Sequence, residues 1–332
     1  MTAHDAPAPA RLDAQALRAW PLPPLRDDAD KESRGKVLVI AGSREVPGAA
    51  LLAGTAALRV GAGKLVVATA ASVAQPMAFA LPEARVIALP EAGDGGFDLH
   101  GVAALHASIE TARAVLAGPG LLGAGSTCSF VAALLPLLRG KSLVLDALAM
   151  DVVRHTGRFD EPLLLTPHAG EMAHLTGASR EDVEADPARA AREAAARWNA
   201  VVAVKGPRTV IASPAGESWL HDGVNGGLAT SGSGDTLAGA IAGLCARGAT
   251  LEQACAWGVL LHAQAGERLA RKLGPVGYLA REIPLEMLGA LRALASSPPL
   301  RHPRESGDPD RPWKSPRAWI PAFAGMTRKA RK

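Results

Sequence analysis

The residues best suited to chemistry lie in one short stretch, "NGGLATSGSGDTLAGAIAGL" (225–244). Gly232, Ser233 and Gly234 stand before Asp235, and a run built almost wholly of Ala, Gly, Leu and Ile follows. That run reads as an apolar helix beginning at about Asp235, which puts the glycines and hydroxyls at its N-terminus. Backbone N–H groups there lack intrahelical partners. With the positive end of the helix dipole they make an anion site, and Gly232 and Gly234 let a phosphate lie against the backbone. Asp235 then has two readings. As an N-cap it is worth about 1 kcal/mol. As a base it accepts the proton of an alcohol that attacks a phosphate of a nucleotide. A cap needs no glycine directly before it and another two positions further back, so the base is preferred, and the two roles are compatible.

Two more side chains can take part. Lys205 heads "KGPRT" (205–209) at the end of an apolar run, where an unpaired ammonium is costly, so it meets an anion: a nucleotide phosphate or a nearby carboxylate. His168 in "PHAGE" (167–171) follows a proline at a strand end beside Glu171, a setting for a solvent-accessible imidazole. "GPGLLG" (118–123) matches the dinucleotide fingerprint GxGxxG, with Asp146 at about the spacing of a ribose-binding acid. That match belongs to the fourth strand instead of opening the domain, its helix starts late, and it leaves the 225–235 loop unexplained. An NAD-dependent oxidoreductase therefore ranks below a phosphoryl-transfer enzyme. "GAGK" (61–64) has Leu65 where a phosphate loop needs Ser or Thr.

The elements that must position these loops are legible as a pattern. Apolar, β-rich runs at 36–42, 64–69, 84–89, 112–118, 142–147, 163–167 and 200–206 are separated by Ala- and Leu-rich helical stretches. Near-continuous apolar strands alternating with helices indicate a mainly parallel sheet covered on both faces, an α/β class. "TVIAS" (209–213) and "ESWLH" (217–221) read as an antiparallel hairpin, and helices are expected at 235–247, 251–272 and 284–295. Ligands on such sheets bind beyond the carboxyl ends of the strands, where the glycine-rich loops fall.

Composition excludes several classes. With 332 residues and 48% hydrophobic content the chain builds a large core. Cys128, Cys245 and Cys255 form no ligand-like spacing, which points to a reducing compartment and no structural zinc. No apolar run is long enough to span a bilayer and the first residues carry no signal-like pattern, so a cytoplasmic protein with no membrane partner is expected. The net charge of +4 arises in residues 301–332, which hold nine of the 36 basic and three of the 32 acidic side chains. The remaining 27 basic against 29 acidic residues give no surface for nucleic acid. One domain over 1–297 is expected, followed by a disordered basic tail over 298–332 that resembles read-through of an interspersed bacterial repeat. A basic arm with Trp313 and Trp319 as stacking residues is the alternative for that tail.

Five loops in order carry a resemblance. "VLVIAGSREVPGAALLAGTAALRVGAGKLVVAT", "AGPGLLG", "LVLDALAM", "LLLTPHAGEMAHLTG" and the segment from "AVVAVKGPRT" to "GSGDTLAGAIAGL" resemble the ADP/ATP-dependent (S)-NAD(P)H-hydrate dehydratases of the ribokinase-like superfamily, over about residues 10–296. The Gly-Asp loop alone would fit any sugar or vitamin kinase of that superfamily, whose product keeps its phosphate. A nucleotide-binding protein without turnover is a further alternative. The resemblance implies repair of NADH and NADPH hydrated at the nicotinamide ring (NADHX and NADPHX). ADP or ATP phosphorylates the hydroxyl of the S epimer, and loss of phosphate restores the double bond. It implies Asp235 as base; Gly232, Ser233 and Gly234 as the phosphate loop; Ala49, Gly120 and His168 as substrate contacts; and Lys205, Gly206, Pro207, Arg208, Thr209 and Gly234 as nucleotide contacts. Magnesium, a separate epimerase acting in the same pathway, and a homo-oligomer such as a tetramer are implied with them. Two positions depart from the family pattern: Leu148 stands where a second acid is common, and Ala169 where proline follows the histidine.

Overall fold

The short apolar runs become the strands of one ten-stranded sheet. A computed structural model describes residues 7–24, 30–223 and 225–295; the tail over 298–332 lies outside them. The strands are β1 (Ala10–Arg11), β2 (Lys36–Ile40), β3 (Lys64–Ala70), β4 (Ala84–Leu89), β5 (Ala114–Ala117), β6 (Ser142–Leu145), β7 (Leu163–Leu165), β8 (Ala200–Val204), β9 (Arg208–Ala212) and β10 (Ser218–Asp222). Their order is β1-β10-β9-β8-β7-β6-β5-β2-β3-β4. All pairings are parallel except β8 with β9 and β9 with β10, so the expected hairpin forms one end of a mainly parallel sheet.

The chain winds outward through β2, β3 and β4, then returns to lay β5 on the other side of β2. That reversal opens a crevice at the carboxyl ends of β2 and β5, the place where open α/β sheets take ligands. The described helices are α1 (Ala14–Ala19), α2 (Gly48–Arg59), α3 (Ala71–Ala80), α4 (His106–Thr111), α5 (Ala124–Leu134), α6 (Val153–Thr156), α7 (Ala169–Thr176), α8 (Arg180–Ala185), α9 (Pro187–Trp198), α10 (Ser233–Ala246), α11 (Leu251–Leu273) and α12 (Ile283–Ala295). Successive strand residues face opposite sides of a sheet, and both sides are apolar here. Val37 and Val39 of β2 pack with α2, α10, α11 and α12, whereas Leu38 and Ile40 pack with α5, α7 and α9.

The small residues of α10 have a packing reason. A Cβ added to Gly239 would stand 2.1 Å from the carbonyl oxygen of Ala53, and one added to Gly243 would stand 2.5 Å from that of Ala57. Both helices advance by four residues together, so α2 and α10 run parallel with their backbones in close approach. One turn earlier the same register sets Ala49 level with Asp235. The N-termini of the two helices are thereby brought to the same edge of the sheet.

The N-terminal segment was not anticipated as part of the sheet. β1 pairs parallel with β10, Trp20 stacks on Trp219 with ring centroids 5.6 Å apart, and the Trp20 carbonyl accepts from Trp257 Nε1 at 2.9 Å. A two-residue strand has no period to detect; its pairing is stabilised entirely by the neighbours it meets.

Candidate active site

Helix α10 begins at Ser233, two residues earlier than the sequence indicates, with Gly232 at the cap in left-handed conformation (φ 86°). Asp235 is therefore the third helical residue and not the N-cap. Gly232 also has no room for a side chain, since a Cβ would stand 2.4 Å from Leu52 Cδ1. Ser233 is fixed from α11: His262 Nε2 lies 2.9 Å from Ser233 Oγ and 3.1 Å from the Ser233 carbonyl oxygen. Burial, helped by the charge of Lys205, pulls the His262 pKa down to about 4, so this imidazole is neutral. An apolar helix offers no motif that would single out His262; the only signal is a histidine inside "VLLHAQAG", which must find a partner when buried.

Asp235 is half-buried in the first turn of α10. Burial and the charge of Asp146 push its pKa up to about 6, against the opposing pull of Lys205. A carboxyl tuned close to physiological pH suits a group that must accept and release a proton. The first-turn N–H groups and helix dipole beside it favour negative charge, so an incoming phosphate and the base share one electropositive end.

Lys205 follows β8, where its amide donates to the Pro167 carbonyl at 2.8 Å. The partner left open by the sequence is a carboxylate: Nζ lies 3.0 Å from Asp146 Oδ1 and 3.8 Å from Glu171 Oε2. Burial lowers the Lys205 pKa, but Asp146, Glu171 and Asp235 together outweigh it, and the ammonium stays charged. A Cβ on Gly234 would be 3.6 Å from this Nζ, so the cation stands directly at the phosphate loop. Asp146 itself is only 3% exposed and accepts a further bond from Thr166 Oγ1 at 2.6 Å. Its carboxylate is committed to the lysine, which removes the ribose-binding acid that a dehydrogenase reading requires.

His168 caps α7. Its Nδ1 accepts from the amides of Gly170 and Glu171 at 3.1 and 3.2 Å, while Glu171 Oε2 accepts from the His168 amide at 2.8 Å. The ring is 60% exposed and borders the main cleft, so it combines a structural cap with an accessible edge.

That cleft measures ≈ 550 Å³. His168, Lys205, Gly206, Pro207, Thr209, Ser233 and Gly234 form its polar wall, and Leu228, Leu237, Val259 and Ala263 its apolar one. A phosphate-bearing ligand with a flat apolar ring matches that division, and the volume falls within the ordinary range for small-molecule sites. The 205–209 turn is closed by Thr209 Oγ1 donating to the Gly206 carbonyl at 3.2 Å. Arg208 does not line the cleft; its side chain is 62% exposed with Asp222 Oδ2 at 4.0 Å. Ala49 at the start of α2 and Gly120 after β5 do not line that cleft; they meet at the crevice between β2 and β5. A Cβ on Gly120, which takes φ 66°, would stand 2.6 Å from that of Ala49. The neighbouring Gly118 lets the loop pass under the Asp146 backbone, where a Cβ would lie 1.8 Å from the carbonyl oxygen. Close strand-end packing thus accounts for this part of "GPGLLG" without a dinucleotide.

Among the described residues no group of three or more His, Cys, Asp or Glu could hold a metal ion. Of the acids near the phosphate loop, Asp146 and Glu171 are engaged with Lys205.

The sequence profile of the NAD(P)H-hydrate dehydratases matches residues 37–287. The chain is 49% identical over 283 residues to an ADP-dependent (S)-NAD(P)H-hydrate dehydratase from Xanthomonas campestris, covering 85% of this chain and 96% of that one. The crystal structure of the Bacillus subtilis ADP/ATP-dependent NAD(P)H-hydrate dehydratase, co-crystallised with ATP and Mg2+, superposes with a TM-score of 0.74 at 32% identity, covering 88% of this chain and 99% of the other. A ribokinase-like superfamily protein from Enterococcus faecalis superposes with a TM-score of 0.74 at 26% identity, covering 86% and 96%. The fold is ribokinase-like, and the chain belongs to the NAD(P)H-hydrate dehydratase family.

Proposed function

We propose that this protein is a lyase that dehydrates the S epimer of hydrated NADH and NADPH, using ADP or ATP. The observation that carries the reading is the place of Asp235 in the first turn of α10, directly after Ser233 and Gly234, which line the cleft together with Lys205, Gly206, Pro207 and Thr209. The nucleotide occupies the cleft, with its terminal phosphate against Gly232, Ser233 and Gly234 and its charge met by Lys205. Gly206, Pro207 and Thr209 complete the nucleotide contacts, whereas Arg208, expected among them, stands outside the cleft. The hydrated nicotinamide lies against Ala49, Gly120 and His168.

Hydroxide is a poor leaving group and phosphate a good one. Asp235 takes the proton of the ring hydroxyl as its oxygen bonds to the terminal phosphorus and the phosphoanhydride bond breaks. The backbone donors of the phosphate loop, fixed in part by the His262–Ser233 bond, stabilise the charge that develops on the phosphoryl oxygens. The ring C–O bond then breaks, phosphate leaves, the adjacent carbon gives up a proton and the double bond is restored. The products are reduced nicotinamide dinucleotide, phosphate, and AMP or ADP.

Magnesium belongs to this reading as the counter-ion of the nucleotide phosphates, a mode in which that ion keeps water and borrows few protein ligands. A separate epimerase would supply the S epimer. The reading places the protein in the cytoplasm as a homo-oligomer; no helix among the described residues is long and apolar enough to cross a membrane. Product analysis tests the chemistry. Incubation with chemically hydrated NADH and ADP should release one phosphate for each reduced nicotinamide recovered. A stable phosphorylated nicotinamide would instead make the protein a kinase.

A further inference from the structure

Three adjacent strands end in polar side chains that meet beneath the phosphate loop: Asp146 after β6, Thr166 after β7 and Lys205 after β8. Asp146 Oδ1 accepts from Lys205 Nζ at 3.0 Å and from Thr166 Oγ1 at 2.6 Å, and the carboxylate is almost wholly out of water. Lys205 in turn reaches the base of Gly234, one residue before Asp235. The backbone is strained to hold this arrangement. Ala147 has φ 46°, a left-handed conformation that non-glycine residues seldom adopt, and such outliers collect where geometry serves function. A lysine that only needed neutralising could be met by a solvated carboxylate with no strained residue beside it.

We propose that Asp146, anchored by Thr166 and Lys205, is a positioning residue that sets the charge felt by the Asp235 carboxylate. The proposal rests on Asp235 being the catalytic base. Two charged groups act on Asp235 directly: Asp146 from the end of β6 disfavours its ionised form, and Lys205 from the end of β8 favours it. Glu171 at the start of α7 acts through Lys205. Among the described residues, the nearest groups that other elements bring to Gly232 and Ser233 are uncharged: Leu52 from α2, Ala280 from the 280–282 turn and the neutral His262 from α11.

Opposite shifts follow for the two members of the pair. Asp146→Asn removes a negative charge and frees the Lys205 ammonium toward Glu171 and Asp235, so Asp235 ionises at lower pH. Lys205→Met leaves Asp146 unopposed, so Asp235 ionises at higher pH.

The test uses the full chain without ligand. The carboxyl signal of Asp235 is isolated by infrared difference against Asp235→Asn and followed with pH in the wild type, Asp146→Asn and Lys205→Met. In parallel, kcat/KM for hydrated NADH is measured against pH. Asp146→Asn should move the Asp235 midpoint down by about one pH unit and Lys205→Met should move it up, with the acid limb of kcat/KM following. Thr166→Val, which keeps the Asp146 charge but removes a hydroxyl donor that offsets it, serves if Asp146→Asn does not fold and should give a smaller, upward shift. An Asp235 midpoint unmoved in whichever of these two variants folds overturns the proposal whatever the activity, and leaves Asp146 a structural partner of Lys205. A midpoint that moves in a protein with no dehydratase activity supports the coupling and removes the functional reading.

Discussion

At the scale of single residues, Asp235 holds its proton more tightly in the fold than in the unfolded chain, with a folded value of about 6 against an ordinary 3.8. The unfolded state ionises first as pH rises, so stability is lost between about pH 4 and 6 and stays lost above. Asp235→Asn removes that burden. The variant should be more stable than the wild type above pH 6, by about 1 to 3 kcal/mol, and equal to it near pH 3.5. Thermal unfolding at several pH values measures this; equal stability of the two proteins at pH 8 would show that Asp235 is not electrostatically strained. Activity follows the opposite sign and should fall as pH drops through about 6, where the base is protonated. Asp235, Lys205 and the phosphate loop were legible because residue type and spacing together name a task. Asp146 was visible only as a strand-end acid, and its partnership with Lys205 joins positions 59 residues apart. His262 had no motif at all, and its role comes from the crossing of α11 over the N-terminus of α10.

At the scale of elements, α2 and α10 locate the chemistry. Gly239 and Gly243 let the two backbones touch, and the register carries Ala49 to Asp235. Gly239→Val should destabilise the fold by about 1 to 3 kcal/mol or more, because the atom it meets is a backbone oxygen that cannot swing aside. Surviving protein should lose kcat as the helices separate. Gly125→Ala in α5 is the control: nothing stands within 4 Å of the added carbon, and the change should be neutral or stabilising by up to about 1 kcal/mol. Thermal unfolding of the two variants compares them, and equal effects would contradict the close-packing account. Strand and helix positions followed from the apolar pattern nearly throughout. The start of α10 did not, because Ser and Gly favour a loop by propensity. Here the His262 bond to Ser233 and the tight fit against α2 override that preference.

At the scale of the whole molecule, the sheet has apolar layers on both faces, and the N-terminal segment closes its hairpin end through β1 and Trp20. The chain from residue 1 to 297 forms one compact unit, and we propose that it carries the whole activity. A protein ending at Ser297 should retain its melting temperature within a degree or two and its kcat/KM within about two-fold. A large loss in either would assign the basic C-terminal segment a role in the fold or the site. A short edge strand such as β1 leaves no mark in composition, which is why the N-terminal closure came from structure and not from sequence.

The central claim is that Asp235 drives a nucleotide-dependent dehydration. The most direct measurement combines purified protein with chemically hydrated NADH, magnesium, and ADP or ATP in parallel, and follows recovery of the reduced-nicotinamide absorbance. The account predicts recovery that requires a nucleotide and falls at least a hundredfold in Asp235→Asn, while that variant still binds the nucleotide. Recovery without nucleotide, or undiminished in Asp235→Asn, would contradict it.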